Sequence, residues 1–236
     1  MQPELDDGTQ LKVSEIFESL QGEGPHAGSA CVFLRLAVCN LRCTWCDTKY
    51  SWDFKQYRYE DEVKEQTVAK VAKVLADLAP RHLVITGGEP LLQMAGLEEL
   101  LGLLDPALLV EVETNGTLAP SAFLAKRVQH WNVSPKLANS GESAAKRLRS
   151  DALTAFSGLQ GAWLKLVLLG ETDWEEATAL LASTAWPKER TLVMPVATTR
   201  AELSERAPAV AALAVRHQLR FSSRLQLLLW DGARGT

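Results

Sequence analysis

Cys39-Asn40-Leu41-Arg42-Cys43-Thr44-Trp45-Cys46-Asp47-Thr48 carries three thiols in one short loop, spaced Cys-x3-Cys-x2-Cys. Thiolates are soft ligands that suit zinc or an iron–sulfur cluster, and this spacing lets all three converge on one centre. A closed zinc site takes four protein ligands, and a cubane cluster takes one per iron. Three cysteines therefore either recruit a further ligand, for which His26 is available, or leave one iron open to a molecule that must react. Plain core thiols are the third reading of the loop alone.

The loop is delivered by Val32-Phe33-Leu34-Arg35-Leu36-Ala37, an apolar strand with one guanidinium inside it. A buried Arg35 needs an anionic partner, either within the protein or on a ligand. Further upstream, residues 13–17 read as a short strand leading into Leu20-Gln21-Gly22-Glu23-Gly24-Pro25. Its glycines let backbone approach a ligand, or make an ordinary turn.

Downstream, residues 50–59 read as a connection. Val68, Val71, Val74, Leu75 and Leu78 then mark an amphipathic helix over residues 61–78, ended by Pro80. The strand His82-Leu83-Val84-Ile85 runs into Thr86-Gly87-Gly88-Glu89-Pro90. Two glycines permit close approach of a small ligand, and Glu89 offers an acceptor for an ammonium group.

A helix through Leu97, Leu100 and Leu104 follows, then strands at residues 109–113, 131–133, 162–169 and 192–195. Thr172-x-x-Glu175 and Thr199-x-x-Glu202 read as capping boxes that start two helices. His217 shares an apolar stripe with Leu203, Val210 and Leu213 and reads as a packing or capping residue. Residues 225–230 fit either a last strand or a C-terminal closure. Strand and helix alternate about six times, which predicts a parallel sheet with crossover helices. A complete eightfold barrel takes roughly 250 residues, so the expected fold is an α/β open, partial β/α barrel. Residues 1–236 are expected to form one domain, with 1–12 as a disordered tail.

The cysteine loop together with Gly87-Gly88-Glu89 resembles the radical S-adenosylmethionine (SAM) enzymes, in which the open iron chelates SAM. The resemblance narrows further. Leu20-Gln21-Gly22-Glu23-Gly24, Arg35, the Cys-Asp-Thr at 46–48, Glu113-Thr114-Asn115-Gly116 and Ser134-Pro135-Lys136 are similar to the 7-carboxy-7-deazaguanine synthases of queuosine biosynthesis. Membership implies conversion of 6-carboxytetrahydropterin to 7-carboxy-7-deazaguanine, with ammonia released as in a carbon–nitrogen lyase. The resemblance further implies that the reaction starts from a 5′-deoxyadenosyl radical and that SAM is regenerated.

Carried over by position, the resemblance assigns Cys39, Cys43 and Cys46 to a [4Fe–4S] cluster. SAM falls to Trp45, Cys46, Asp47, Gly88, Glu89, Glu113, Asn115, Ser134, Pro135 and Lys136, with Met194, Pro195, Val196 and Ala197. The pterin falls to Leu20, Gln21, Gly22, Glu23, Arg35 and Thr86, with Arg35 clamping its carboxylate. Glu23, Arg35 and Thr48 are the catalytic candidates, Thr48 as a Mg2+ ligand. Two positions depart from the family: Gln226 stands where a histidine is expected, and Val196 where a polar residue is common. The resemblance also implies flavodoxin or ferredoxin as electron donor, and a homodimer. A glycyl-radical activase would share the two motifs but needs neither Arg35 nor the Gln-Gly-Glu loop. A non-catalytic zinc or iron–sulfur module leaves the strand-end groups unexplained.

The 236 residues are 47% hydrophobic and 23% charged, ordinary for a globular chain. A net charge of −4 offers no footprint for a nucleic-acid backbone. Four cysteines, three of them clustered, fit a reducing cytoplasm, with Cys31 as a core residue. The acidic start lacks the pattern of a signal peptide, and no apolar run is long enough to cross a bilayer.

Overall fold

The computed structural model describes residues 8–236. Its first half runs β1 (Gln10–Leu20), β2 (Ala30–Leu36), α1 (Tyr59–Glu62), β3 (Lys64–Thr67), α2 (Val68–Leu78), β4 (His82–Gly87), α3 (Met94–Leu103) and β5 (Leu109–Thr114). The second half runs α4 (Ala122–Arg127), β6 (His130–Val133), α5 (Ala144–Arg147), α6 (Ser150–Ser157), β7 (Ala162–Leu168) and α7 (Trp174–Thr184). It closes with β8 (Thr191–Pro195), α8 (Arg200–His217), β9 (Arg220–Phe221) and α9 (Leu225–Trp230).

All strands join one sheet in the order β3-β1-β2-β4-β5-β6-β7-β8-β9, and its two ends do not pair. From β2 onward every pairing is parallel. The expected open barrel of six parallel strands is therefore present, with β9 as a two-residue extension. Strand β1 is the exception: it runs antiparallel to both β2 and β3.

Side chains alternate across each strand and sort the sheet into two faces. Leu83, Ile85, Val110, Val112, Trp131, Val133, Leu164 and Leu166 face the helices and make the main core with α2, α3, α6 and α8. The opposite, concave face carries His82, Thr86, Glu111, Glu113, Asn132 and Lys165. A polar residue two positions from the next along the same strand is what makes this interior a site rather than a packed core.

The helices differ from expectation at their starts. The helix expected over residues 61–78 begins at Val68, where the Thr67 hydroxyl accepts from Lys70 N at 3.4 Å. Residues 64–67 pair with β1 instead, as an exposed edge strand. Thr172 is not a cap; it lies in a 3-10 turn, and α7 starts at Trp174. Asp173 takes that turn inward, accepting from Leu169 N and Asn139 Nδ2. The second capping box forms its cap bond, Thr199 Oγ1 accepting from Glu202 N, while the Glu202 carboxylate accepts from Thr198 N and Oγ1, one residue before the cap. Of the two readings of residues 225–230, the strand is not formed; they are helical and close the C-terminal end. Of the expected N-terminal tail, residues 10–12 belong to β1, where Leu11 is fully buried, and residues 1–7 lie outside the described residues.

Candidate active site

Strand β2 ends at Leu36, and the chain turns through Val38 in the left-handed region (φ 74°). That conformation is costly for a β-branched residue and must be held by its surroundings. Val38 N donates to Ser51 O (2.7 Å), and Val38 O accepts from Glu89 N (2.9 Å). Gly88 N donates to Leu36 O (2.9 Å). The Gly87-Gly88 pair is thus zipped against the start of the cysteine loop. A Cβ at Gly87 would strike Leu36 backbone, one at Gly88 would strike Val38 backbone, and Gly87 also has φ 136°. The glycines permit a close approach, but the partner is the protein's own cysteine loop.

Glu89 departs from the sequence reading in the same way. Its carboxylate is fully buried and accepts from Leu91 N (3.0 Å), Thr114 Oγ1 (2.8 Å) and Asn115 N (2.7 Å). It does not line the cavity. Glu89 fixes the end of β5 relative to β4 instead of presenting a free acceptor.

The cavity has a volume of about 700 Å³, within the range of small-molecule sites. Cys39, Cys43 and Cys46 all line it as free thiols, whereas Cys31 packs with Phe33 and Val84 and does not line it. Burial pushes the Cys39 thiol up to about 12, so a metal would have to hold it as thiolate. Two N–H groups already point at these sulfurs: Trp52 Nε1 at 3.2 Å from Cys46 Sγ, and Leu41 N at 3.4 Å from Cys39 Sγ. Three thiols on one wall, with no fourth cysteine among the lining residues, fit a cluster with one open iron. His26 does not join these thiols in a zinc site; its Nδ1 is bonded to Glu111 Oε2 (2.7 Å).

Of the other expected contacts, Trp45, Asp47, Thr48, Gly88, Glu113, Asn115, Ser134, Lys136, Met194 and Val196 line the same cavity. Pro135, Pro195 and Ala197 do not. The Ala197 carbonyl accepts from Arg224 instead. Lys136 Nζ reaches Ser134 Oγ (3.0 Å) and sits over the Trp45 ring. Thr48 Oγ1 lies 3.6 Å from Cys46 Sγ.

The expected pterin residues Leu20, Gln21, Gly22, Glu23, Arg35 and Thr86 also line it, but they arrive from two edges. Because β1 is antiparallel, Leu20 lies level with Ala30 at the N-terminal edge of the parallel strands. Residues 21–23 therefore rise through the floor and do not hang from the rim that carries the cysteines. Gln21 Nε2 donates to Glu111 Oε1 (2.5 Å) and Glu113 Oε1 (3.2 Å), and Thr86 Oγ1 donates to Glu113 Oε2 (3.0 Å). Arg35 Nε donates to Glu15 Oε2 (3.0 Å). Its two terminal nitrogens take no partner among the described residues, so an internal pair and a ligand contact are compatible.

Lys165 and Arg224 were not expected, and they set the electrostatics. Glu23 Oε2 accepts from Lys165 Nζ (2.5 Å), and its Oε1 accepts from Arg224 Nε (3.0 Å) and Gln226 Nε2 (2.8 Å). Arg224 also pairs with Asp47, tying the floor to the cysteine loop. Burial alone would raise the Glu23 pKa, but the Lys165 ammonium and the Arg224 guanidinium outweigh it and hold the carboxyl well below its ordinary range. Glu23 is an anion at neutral pH. The departure at Gln226 is accommodated as a neutral donor to it.

The family model described as the radical SAM superfamily matches residues 35–134. The chain is 40% identical to a 7-carboxy-7-deazaguanine synthase of Pyrobaculum aerophilum, covering 96% of this chain and 97% of the relative. It is 38% identical to one of Hyperthermus butylicus, covering 94% and 93%. Among solved structures, QueE from Escherichia coli superposes with a TM-score of 0.69 at 26% identity, covering 92% of this chain and 94% of that one. SuiB from Streptococcus suis shares the fold alone, at 12% identity and a TM-score of 0.53, over 78% of this chain and 46% of its own.

Proposed function

The chain belongs to the 7-carboxy-7-deazaguanine synthases of the radical SAM superfamily, and from that premise we propose that it converts 6-carboxytetrahydropterin to 7-carboxy-7-deazaguanine with release of ammonia. The observation that carries the reading is one cavity with three free thiols on its rim and Arg35, Gln21 and Glu23 on its wall and floor. When bound, a [4Fe–4S] cluster and SAM supply the radical chemistry that no side chain can start alone.

The protein's own groups do the rest. Cys39, Cys43 and Cys46 would hold the cluster, with the Trp52 and Leu41 N–H groups donating to two of the sulfurs. Arg35 turns its free guanidinium edge to the pterin carboxylate, a geometry suited to a bidentate pair. Gln21, pinned between Glu111 and Glu113, and Thr86 orient the ring system from below. Glu23, kept ionised by Lys165 and Arg224, accepts a hydrogen bond from a pterin N–H and donates no proton at neutral pH. The Gly88 backbone, Glu113, Asn115, Ser134, Lys136 and Met194 would hold SAM at the rim. Thr48 would offer its hydroxyl to a Mg2+ ion, a hard cation that takes oxygen ligands. Flavodoxin or ferredoxin as donor, a homodimer and a cytoplasmic setting complete the reading by family likeness. Consistent with that setting, no helix among the described residues is long and apolar enough to cross a membrane.

The test is anaerobic reconstitution with iron and sulfide, then turnover with SAM, Mg2+, a strong reductant and 6-carboxytetrahydropterin, followed by mass spectrometry. Formation of 7-carboxy-7-deazaguanine by the wild type and its loss in Cys43→Ala is the expected result. Cleavage of SAM without a deazaguanine product would leave the superfamily and overturn the substrate.

A further inference from the structure

Beneath the cavity floor, three of the four histidines converge on a single buried carboxylate. Glu111 in β5 is fully buried, and its two oxygens are divided between two kinds of partner. Oε1 accepts from the side-chain amides of Gln21 (2.5 Å) and Asn132 (2.5 Å). Oε2 faces His26 Nδ1 at 2.7 Å and His82 Nε2 at 3.1 Å. The three ligating atoms lie within 4.8 Å of one another. None of His26, His82 and Glu111 lines the cavity described above, so this cluster is separate from the cysteine site.

We propose that His26, His82 and Glu111 bind one divalent cation of the zinc class. Two imidazole nitrogens and one carboxylate oxygen form a borderline donor set that suits Zn2+ over Mg2+ or Ca2+. The two amides on Oε1 fix the carboxylate and turn Oε2 toward the rings, the role that outer partners play around bound metals. A tetrahedral ion about 2.0–2.2 Å from each ligand spaces its donors about 3.3 Å apart. The two carboxylate–imidazole separations, 2.7 and 3.1 Å, would open by roughly 0.6 and 0.2 Å to meet that spacing. The His26 side chain is about one-third exposed, giving the ion a path from the N-terminal rim and room for a water as fourth ligand. A second observation points to the same place. His130 is 6% exposed, its ring centroid is 4.3 Å from that of His26, and its Nε2 has no partner. The bound ion would clamp the loop carrying Gln21 and Glu23 to β4 and β5, and so set the height of the pocket floor.

The experiment uses the cluster-loaded full chain, in which the three rim cysteines are occupied, stripped of loose metal and titrated with ZnCl2. One zinc per chain should bind, measured by calorimetry and by metal analysis after gel filtration. Zinc-edge X-ray absorption should show nitrogen and oxygen neighbours near ~2.0 Å and no sulfur near ~2.3 Å. His26→Ala and Glu111→Gln should each weaken binding more than about a hundredfold, while His217→Ala, remote on α8, should not. Should Glu111→Gln fail to fold, the partly exposed His26 carries the test. No saturable zinc, a sulfur shell, or zinc retained by His26→Ala would each overturn the proposal.

Discussion

Replacing Lys165 by methionine isolates the ion network under the pocket. The side chain is 6% exposed and sits 2.5 Å from Glu23 Oε2. Breaking a buried pair costs about 3–5 kcal/mol because one charge is stranded. Here Arg224 at 3.0 Å and Gln226 at 2.8 Å still serve Glu23, so the lower end, about 3 kcal/mol, applies. For a chain of this length that is a fall in melting temperature of about 6–12 °C. In a Glu23→Gln background the same substitution removes a cation that has already lost its partner. Its cost there should be under about 1 kcal/mol, a coupling of about 2 kcal/mol or more. The assay is urea denaturation of the cluster-free chain under reducing conditions, so that metal release does not distort the transition. The two costs adding to within about 0.5 kcal/mol would refute the pairing. The pH dependence follows in sign. The folded Glu23 pKa is depressed, so its contribution is fully present above the unfolded value of about 4.3. It drains away as pH falls through the lower folded value. Acidification below about pH 4 should therefore destabilise the wild type through a proton uptake that Glu23→Gln lacks.

Three further outcomes follow from the site. Glu89→Gln places an amide against three donors and should cost about 1–3 kcal/mol, with SAM affinity falling in step. Lost SAM affinity at unchanged stability would mean instead that Glu89 touches the ligand. Gly22→Ala drives a Cβ into the Gln226 side chain and should raise the pterin KM, with part of the loss recovered in Gly22→Ala/Gln226→Ala. Arg35→Met should raise the pterin KM about tenfold or more through the lost charge-assisted pair, while SAM binding by calorimetry stays unchanged.

What the sequence showed and what it hid divide along the range of the interactions. The parallel strands, their helices and the rim groups were legible because each rests on local pattern: two-residue alternation, three-to-four-residue spacing, and thiols seven residues apart or fewer. Lys165 was visible only as an interruption of an apolar strand, since its partner lies 142 residues away. Arg224 was invisible for the same reason, 201 residues from Glu23. The polar stripe His130-Trp131-Asn132-Val133-Ser134 and the alternation Val110-Glu111-Val112-Glu113 did carry a signal. Strands whose inner face is polar announce a lined interior, and that pattern would have found Glu111 and Asn132. The edge strand at residues 64–67 was absorbed into a helix because its pairing with β1 leaves no mark on local periodicity. Glu89 was assigned outward because a sequence cannot show that Thr114 and Asn115 come back to claim it.

The bond between Glu23 and Arg224 also bears on when the chain becomes an enzyme. Chains leave the ribosome N-terminus first and fold as they emerge. Cys39, Cys43 and Cys46 are thus exposed to iron long before residues 224–226 exist. Until those last elements dock, Glu23 has no guanidinium and Asp47 no tie to the floor. A chain that stops short of Arg224 carries the three thiols but lacks the Glu23–Arg224–Asp47 tie, so the pocket floor is complete only once the first turn of α9 has docked.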